Sequence, residues 1–239
     1  MAEQSLIIAP PNVNMNQKTD STSLIQIELF RILNSNMRIQ TLIFFLLLSS
    51  ICFADSPLTS TEFSKAYLNE PILVKASKSR GILSKELMSY LTDESNPVDM
   101  KVALINKLGW SSKGKNNAVV FLKYLILKQN YKNKEDFFDN GKGDELLCFS
   151  YITAMDNYYD VTDAIRYSGY ALSKNPKSYT YQMISALIYA QKVFFSDRCQ
   201  VYKLTDEVRK NNSLNRDMKV EAISIIFEYM DLYKHNCPS

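Results

Sequence analysis

From Thr59 onward, apolar side chains recur three and four residues apart, and almost no segment alternates apolar with polar residues. This spacing is typical of helices with one buried face, whereas half-buried strands alternate at every second residue. Near the C-terminus, for example, Ile223, Ile226 and Met230 form a single apolar stripe. The sequence therefore predicts an all-α fold in which antiparallel helical hairpins stack as a short irregular solenoid or bundle.

An apolar leader stands before this helical part. The sixteen residues Ile39 to Ala54 carry no charge, and their centre is almost wholly Leu, Ile and Phe. Arg38 precedes them, and small residues stand just before Asp55, where a leader peptidase would cleave. The apolar part is shorter than the roughly 20 residues that span a bilayer as a helix. Residues 37–54 are therefore predicted to be a cleaved signal peptide, with an uncleaved membrane anchor as the alternative.

Met37 is a natural start for that leader, because the polar residues 1–36 would make an unusually long segment before its apolar centre. We therefore interpret residues 1–36 as a disordered N-terminal extension that lies upstream of the true start. Cleavage would leave an exported chain of about 185 residues, the size of one domain. The expected location is periplasmic or secreted, with no stable membrane span after the leader is removed.

A polar stretch at residues 131–143 carries charges and two glycines and divides the predicted helices. It is predicted to be a linker between an N-terminal helical lobe, residues 55–130, and a C-terminal helical lobe, residues 144–239. Helices of the C-terminal lobe are predicted at roughly 144–157, 161–174, 178–195, 199–210 and 215–234. The short turns between them indicate antiparallel neighbours.

Two segments of the N-terminal lobe carry specific signals. A short helix is predicted from Thr61 to Asn69 and would end at Pro71, which lacks the backbone donor that a continuing helix needs. Residues 118–127 are apolar on nearly every side of a helix. A helix without a polar face is expected at the centre of the fold.

Residues 164–191 contain an Ala171-Leu172 pair followed by Asn175-Pro176. This stretch resembles the junction of two tetratricopeptide repeats, where one helix ends in Ala-Leu, Asn-Pro breaks the chain and the next helix begins. It lacks the tryptophan and glycine pattern of the first repeat helix, and no second copy follows at a period of about 34 residues. The resemblance implies a helical solenoid that offers a groove to a protein or peptide, and an ordinary hairpin with a proline turn is the alternative.

Three of the four cysteines, Cys148, Cys199 and Cys237, lie in the part predicted to be exported, where disulfides can form. Cys199 and Cys237 flank the last two predicted helices, so a bridge between them would stabilise the C-terminal hairpin. Cys148 stands in an apolar run and is expected to be a small buried hydrophobe, although spacing alone leaves a Cys148–Cys199 bridge open. No two cysteines are close in sequence and the only histidine is His235, so no metal site and no cofactor are predicted.

Eight tyrosines are crowded between residues 151 and 189. Tyrosine rings provide contact area at little entropic cost and suit a recognition surface. The candidate binding face consists of Tyr158, Tyr159, Tyr167, Tyr170 and Tyr181. The alternative is that these rings pack in the core and keep their hydroxyls hydrated.

Other function classes find less support. Lys+Arg 28 against Asp+Glu 25 leaves a formal net charge of +3, and lysines and acids are interspersed, so nucleic acid is not expected as a partner. Gly109-x4-Gly114-Lys115-Asn116 departs from the phosphate-binding loop in its last residue and follows a predicted helix, so an interhelical turn is favoured over nucleotide binding. His235 lies close to the chain end, and no catalytic relay can be assembled around it.

These features favour an exported, non-enzymatic helical protein that binds another protein in the periplasm or outside the cell. An immunity or inhibitor protein directed against a secreted toxin is one form of this function. A carboxylate-dependent cell-wall hydrolase is one alternative, because aspartate and glutamate suffice for glycoside chemistry. A structural component of an envelope assembly is the other.

Overall fold

A computed structural model describes residues 56–238, and within that range the chain forms eleven α-helices, two 3₁₀ helices and no strand. The α-helices are α1 (Pro57–Ser60), α2 (Pro71–Lys78), α3 (Lys85–Thr92), α4 (Val98–Leu108), α5 (Asn117–Lys128), α6 (Lys134–Asn140), α7 (Gly143–Asp156), α8 (Thr162–Lys174), α9 (Tyr179–Val193), α10 (Arg198–Lys210) and α11 (Val220–Met230). The 3₁₀ helices are Phe63–Tyr67 and Asp231–Asn236. The predicted all-α fold is confirmed, whereas the predicted extension 1–36 and signal peptide 37–54 lie outside the described residues.

Several helices begin at a capping side chain. The capping residues of α3, α6, α9 and α10 are Ser84, Asn133, Ser178 and Asp197, and each accepts a hydrogen bond from the backbone amide three residues later. Each cap therefore satisfies one of the amides that a helix start leaves unpaired. Pro71 is the first residue of α2, where its missing amide costs no helical hydrogen bond.

The segment before α2 differs from the prediction. Residues 61–69 were expected to form an α-helix, but they contain the 3₁₀ helix Phe63–Tyr67. The cause is Asn106 of α4, whose side chain accepts from the Ser64 amide at 3.0 Å and donates to the Thr61 carbonyl at 2.9 Å. These contacts occupy backbone groups that an α-helix would pair within itself.

Residues 131–143 also differ from the polar linker predicted for them, because they contain α6. Phe137 of this helix is fully buried, and its ring meets that of Phe149 on α7 edge-on with centroids 5.6 Å apart. The buried ring of Phe137 thus packs α6 against α7, although the other residues of α6 are mainly polar. Helices from both sides of this segment pack together, α4 on α7 among them, and the described residues form one compact unit.

The centre of the fold is formed by α7 and α9. All residues from Glu145 to Ile152 are buried, and in α9 the exposed side chains are Tyr189 and Lys192. α8 and α9 are antiparallel, since the Lys192 ammonium near the end of α9 donates to the Thr162 hydroxyl at the start of α8, at 2.8 Å. Helices that are apolar on all sides are expected in such positions.

α5 was expected at the centre as well, and this prediction was wrong. Its main neighbours are α6 and α7, which cover one side of the helix. Only Asn117, Phe121 and Leu125 are buried. The exposed apolar side chains of α5 are Val119, Val120 and Leu127. A nearly continuous apolar run therefore forms a helix at the surface of this fold.

Tyr67 connects the N-terminal segment to α4 and to the residues before α11. Its hydroxyl donates to Asp99 Oδ2 at 2.8 Å and accepts from the Lys219 amide at 3.3 Å. Replacing Tyr67 by Phe removes both hydrogen bonds and is expected to lower the free energy of unfolding by about 1–2 kcal/mol. Urea denaturation measures the change, with Tyr124→Phe on half-buried Tyr124 as the matched control. Equal losses in the two variants would contradict the role given to the Tyr67 hydroxyl.

Candidate functional site

Five polar side chains meet beside the first turn of α7. The Lys101 ammonium of α4 lies 2.6 Å from Asp144 Oδ2, and the Tyr181 hydroxyl of α9 donates to Asp144 Oδ1 at 2.6 Å. The Tyr131 hydroxyl donates to Glu145 Oε2, also at 2.6 Å. We name these five residues the α7 polar cluster. Three helices and one loop therefore contribute to two adjacent hydrogen-bonded sets, Lys101–Asp144–Tyr181 and Tyr131–Glu145.

Burial sets the electrostatics of this cluster. The Lys101 side chain is only 1% exposed, whereas that of Asp144 is 29% exposed, so a full positive charge is held inside the fold by one partly hydrated carboxylate. Burial raises the pKa of Glu145 above its usual range, although the hydrogen bond from Tyr131 acts in the opposite direction. Burial, together with the hydrogen bond to Asp144, raises the pKa of Tyr181. Tyr181 therefore remains a hydrogen-bond donor at neutral pH.

A cavity of about 290 Å³ opens beside the α7 polar cluster. Its walls include Asp144 and Glu145, and Lys142 and Lys174 add further positive charge. Glu145 Oε1 is buried and has no hydrogen-bond partner among the described residues. A buried carboxylate oxygen of this kind is expected to find a donor, which water, an amine or a hydroxyl group can supply. The site thus combines carboxylates and ammonium groups around a space for a small polar ligand.

This cluster was not predicted from the sequence, because its members come together from distant positions. Asp144 and Glu145 look like ordinary acidic residues of a first helical turn, where they favour the helix dipole. One signal was available for Lys101, which shares a face of α4 with Ile105 and Leu108 at spacings of four and seven residues. Both of those residues are buried, so the lysine on the same face had to be buried with them.

The raised pKa of Glu145 leads to a prediction about pH. The folded state binds a proton at Glu145 more tightly than the unfolded state does, so this group favours folding most at low pH. That contribution is lost as pH rises from the ordinary glutamate pKa of about 4.3 through the raised value. Replacing Glu145 by Gln should therefore give a free energy of unfolding that changes less with pH across this range.

Urea denaturation of the parent and of Glu145→Gln at several pH values measures the effect. Glu207→Gln on the exposed side of α10 is the matched control and should follow the parent curve. The assignment fails if the Glu145→Gln curve runs parallel to that of the parent.

The five tyrosines predicted as a binding face do not share one surface. Tyr159 and Tyr170 are exposed, but Tyr158, Tyr167 and Tyr181 are buried. Buried rings cannot meet a partner, so these three are removed from the predicted binding face. Tyr181 belongs instead to the α7 polar cluster.

Helical geometry explains why Tyr167 turns inward, and packing on Trp110 accounts for Tyr158, which lies in the turn between α7 and α8. Tyr167 lies on the same face of α8 as Ala164 and Ala171, which are fully buried, and its ring stacks on Phe138 with centroids 4.6 Å apart. The ring of Tyr158 meets Trp110 edge-on at 5.0 Å. For these three tyrosines the rings pack in the core, as in the alternative, but the hydroxyl of Tyr181 donates to Asp144 and that of Tyr158 is buried rather than hydrated.

The predicted pairing of Cys199 with Cys237 is confirmed by the distance between their sulfur atoms. The sulfur atoms of Cys199 and Cys237 lie at bonding distance, 2.15 Å, with Cα atoms 4.7 Å apart. This pair joins the first turn of α10 to the residue that follows the 3₁₀ helix Asp231–Asn236. Cys148 is free and fully buried, as expected of a small hydrophobe, and burial raises the pKa of its thiol.

The glycine-bearing segment before α5 is a turn between two helices, as predicted. The Lys115 ammonium donates to the carbonyl oxygens of Leu108 and Gly109, at 2.7 Å in each case. These carbonyls belong to the end of α4, where helices leave acceptors unpaired. Lys115 therefore closes α4, and its burial lowers the pKa of its ammonium group.

Across residues 56–238, no helix is both long enough and apolar enough to cross a lipid bilayer. The same part of the chain contains no group of three or more histidine, cysteine or acidic side chains arranged to hold a metal ion. Comparison with protein-family models, curated proteins and solved structures finds no match. The tetratricopeptide resemblance of residues 164–191 stays a prediction, and α8 and α9 form the helical hairpin at that position.

Proposed function

We propose that this chain is an exported, non-enzymatic helical protein that binds another protein in the periplasm or outside the cell. In this proposal residues 37–54 direct export and are removed, and the remaining helical hairpins stack as a short irregular solenoid or bundle. The cysteine pair at bonding distance supports an oxidising compartment. An immunity or inhibitor protein that blocks a secreted toxin is one specific form of this function.

One observation carries the proposal, namely the aromatic and charged side chains exposed along α8. Tyr159 precedes this helix and Tyr170 lies in its last turns, and both rings are exposed. Asp163 and Arg166 lie between them on the outer face and form an exposed ion pair. We name these four residues the α8 outer face. Tyrosine and arginine are enriched among the residues that dominate binding energy at protein interfaces.

Affinity capture from an envelope fraction, followed by measurement of the complex with the purified partner, tests this proposal. Replacing Tyr159 and Tyr170 together by Ser should weaken binding about 700-fold, since each such residue contributes about 2 kcal/mol at a hot spot and about 1.4 kcal/mol is a factor of ten. Val220→Ser is the matched control, because Val220 is exposed on α11, outside the α8 outer face. Unchanged affinity in the double variant would reject the α8 outer face as the contact surface.

The second candidate, a carboxylate-dependent cell-wall hydrolase, is favoured by a different observation. Asp144 and Glu145 both border the cavity beside the α7 polar cluster, and the raised pKa of Glu145 suits a general acid. In a hydrolase, Glu145 would protonate the leaving oxygen as the glycosidic bond breaks, and the Asp144 carboxylate would accept a proton from the water that attacks the sugar carbon. Release of soluble fragments from purified peptidoglycan that is lost in Glu145→Gln would support this function. No release by the parent protein would exclude it for that substrate.

A further inference from the structure

Exposed aliphatic side chains lie together on α5 and on the loop that precedes α3. Val119, Val120 and Leu127 are exposed on α5, and Ile82 is exposed in the loop. On a helix, residues 119, 120 and 127 lie within about 100° of one another around the axis. We name these four residues the α5 aliphatic surface. Soluble proteins scatter exposed aliphatic residues singly, and a group of them marks an interaction site.

The loop is held against α5 by specific contacts. The Asn117 side chain accepts from the Leu83 amide at 3.0 Å and donates to the Gly81 carbonyl at 2.9 Å. Ile82 and Val120 line one and the same surface cavity. The α5 aliphatic surface is therefore a fixed feature built from two segments of the chain.

The charge of this part of the chain has one sign. Residues 100–134 contain eight lysines and neither aspartate nor glutamate, although Lys101 is buried in its ion pair with Asp144 and Lys115 is bound to the end of α4. Lys123 lies between Val119 and Leu127 at spacings of four residues, and Lys128 follows in the last turn of α5; both lysines are exposed. Lys123 thus lies on the same side of α5 as the exposed aliphatic side chains, whereas Lys128 lies about 180° from Val119 around the helix axis.

Acidic residues of the neighbouring elements do not cancel this charge. Asp156 of α7 touches α5, but it is buried and its Oδ2 accepts from the Ala118 amide at 2.7 Å. Glu86 of α3 pairs with Lys75. Beyond the end of α5, α6 carries three acids, Glu135, Asp136 and Asp139, against Lys134. Among the described residues, no acid forms an ion pair with Lys123 or Arg80, so these two positive charges remain available to a partner.

We propose that the α5 aliphatic surface docks on the surface of an anionic lipid bilayer, with α5 lying in the plane of the interface. Aliphatic side chains then enter the region between headgroups and acyl chains, and Lys123 and the exposed Arg80, which lines the same cavity as Ile82 and Val120, meet lipid phosphates. Nucleic acid fits less well, because aliphatic side chains give bases no ring on which to stack. A protein partner also fits less well, because interface hot spots favour Trp, Tyr and Arg, and interfaces are depleted in lysine. This surface is distinct from the α8 outer face, so either proposal can fail alone.

The test places a polarity-sensitive fluorophore on the surface in question. Leu127→Cys and, as the control, Val220→Cys are labelled in the full chain with Cys52→Ser, since Leu127 and Val220 are each 76% exposed. Vesicles of equimolar phosphatidylcholine and phosphatidylglycerol should shift the emission to the blue at residue 127 and not at residue 220. Vesicles of phosphatidylcholine alone, or salt at about 0.5 M, should remove the shift. Replacing Lys123 or Arg80 by Gln should weaken vesicle binding about five-fold each, from about 1 kcal/mol per basic residue.

Each other outcome overturns the proposal. Equal shifts at residues 127 and 220, or none at either, would show that vesicles do not contact this surface in particular. A shift at residue 127 that needs no vesicles and grows with protein concentration would assign the surface to a second copy of the chain. A shift that appears only with an added acidic protein would assign it to a protein partner.

Discussion

Replacing Asp144 by Ala is expected to lower the free energy of unfolding by about 3–5 kcal/mol, the cost of removing one partner of a buried ion pair. The Lys101 ammonium would remain buried with no counter-ion, and the Tyr181 hydroxyl would lose its acceptor. Two polar groups would therefore be left unsatisfied inside the fold. Urea denaturation followed by circular dichroism measures the loss.

Replacing Lys101 and replacing Asp144 are expected to lower the free energy of unfolding by different amounts. Replacing Lys101 by Met leaves Asp144 behind, which can turn toward water and still accept from Tyr181, so the loss should be smaller. Lys142→Ala removes the exposed pair with Glu94 and should cost less than about 1 kcal/mol. The account of the α7 polar cluster is wrong if Asp144→Ala costs no more than Lys142→Ala, or if Lys101→Met costs more than Asp144→Ala.

The second large effect concerns the cysteine pair. Replacing Cys199 and Cys237 together by Ser is expected to lower the free energy of unfolding by about 2–4 kcal/mol, because the bridge closes a loop between residues 38 positions apart. Thermal unfolding at a fixed scan rate reports the change as a lower midpoint. The expected effect arises mainly in the unfolded chain, which gains freedom when the bridge is absent.

A reductant provides the matched control for this prediction. It should lower the midpoint of the parent protein toward that of the double variant and leave the double variant unchanged. Cys148 should contribute nothing to the difference, since it is buried and unbridged. A parent midpoint that does not respond to complete reduction would show that the bridge does not stabilise this fold.

Local signals in the sequence predicted the C-terminal helices well. The predicted segments 161–174 and 178–195 correspond closely to α8 and α9, because Ser178 caps the second helix and Pro176 stands in the turn. The cysteine pairing followed from the positions of the two residues at the ends of neighbouring helices. In these cases the determining interactions lie within a few residues or within one hairpin.

Errors arose where distant parts of the chain decide the outcome. Asn106 converts an expected α-helix into a 3₁₀ helix from more than forty residues away, and no local pattern reports that contact. An apolar run shows that a helix will bury one face, but it does not show what covers the other, as α5 demonstrates. The lysines between residues 100 and 134 form no continuous run, and the absence of acids among them gains a meaning only when α5 is placed at the surface.

The candidate site was the feature that the sequence predicted least well, because tertiary contacts bring its residues together. Lys101, Asp144 and Tyr181 are separated by 43 and 37 residues along the chain. The tyrosines illustrate the same limit, since composition cannot tell an inward ring from an outward one. Helical phase relative to small residues such as Ala164 and Ala171 is the signal that would have identified Tyr167 as a core residue.

The position of α1 has a consequence for how the chain folds during synthesis. This first described helix packs on α9 and α11, and the Leu58 amide donates to the Gln191 side chain at 3.3 Å. α1 therefore reaches its native contacts only after α9 and α11 have been synthesised. Until then the surfaces that α1 shares with these helices stay uncovered, and exposed apolar surface of this kind favours capture by chaperones.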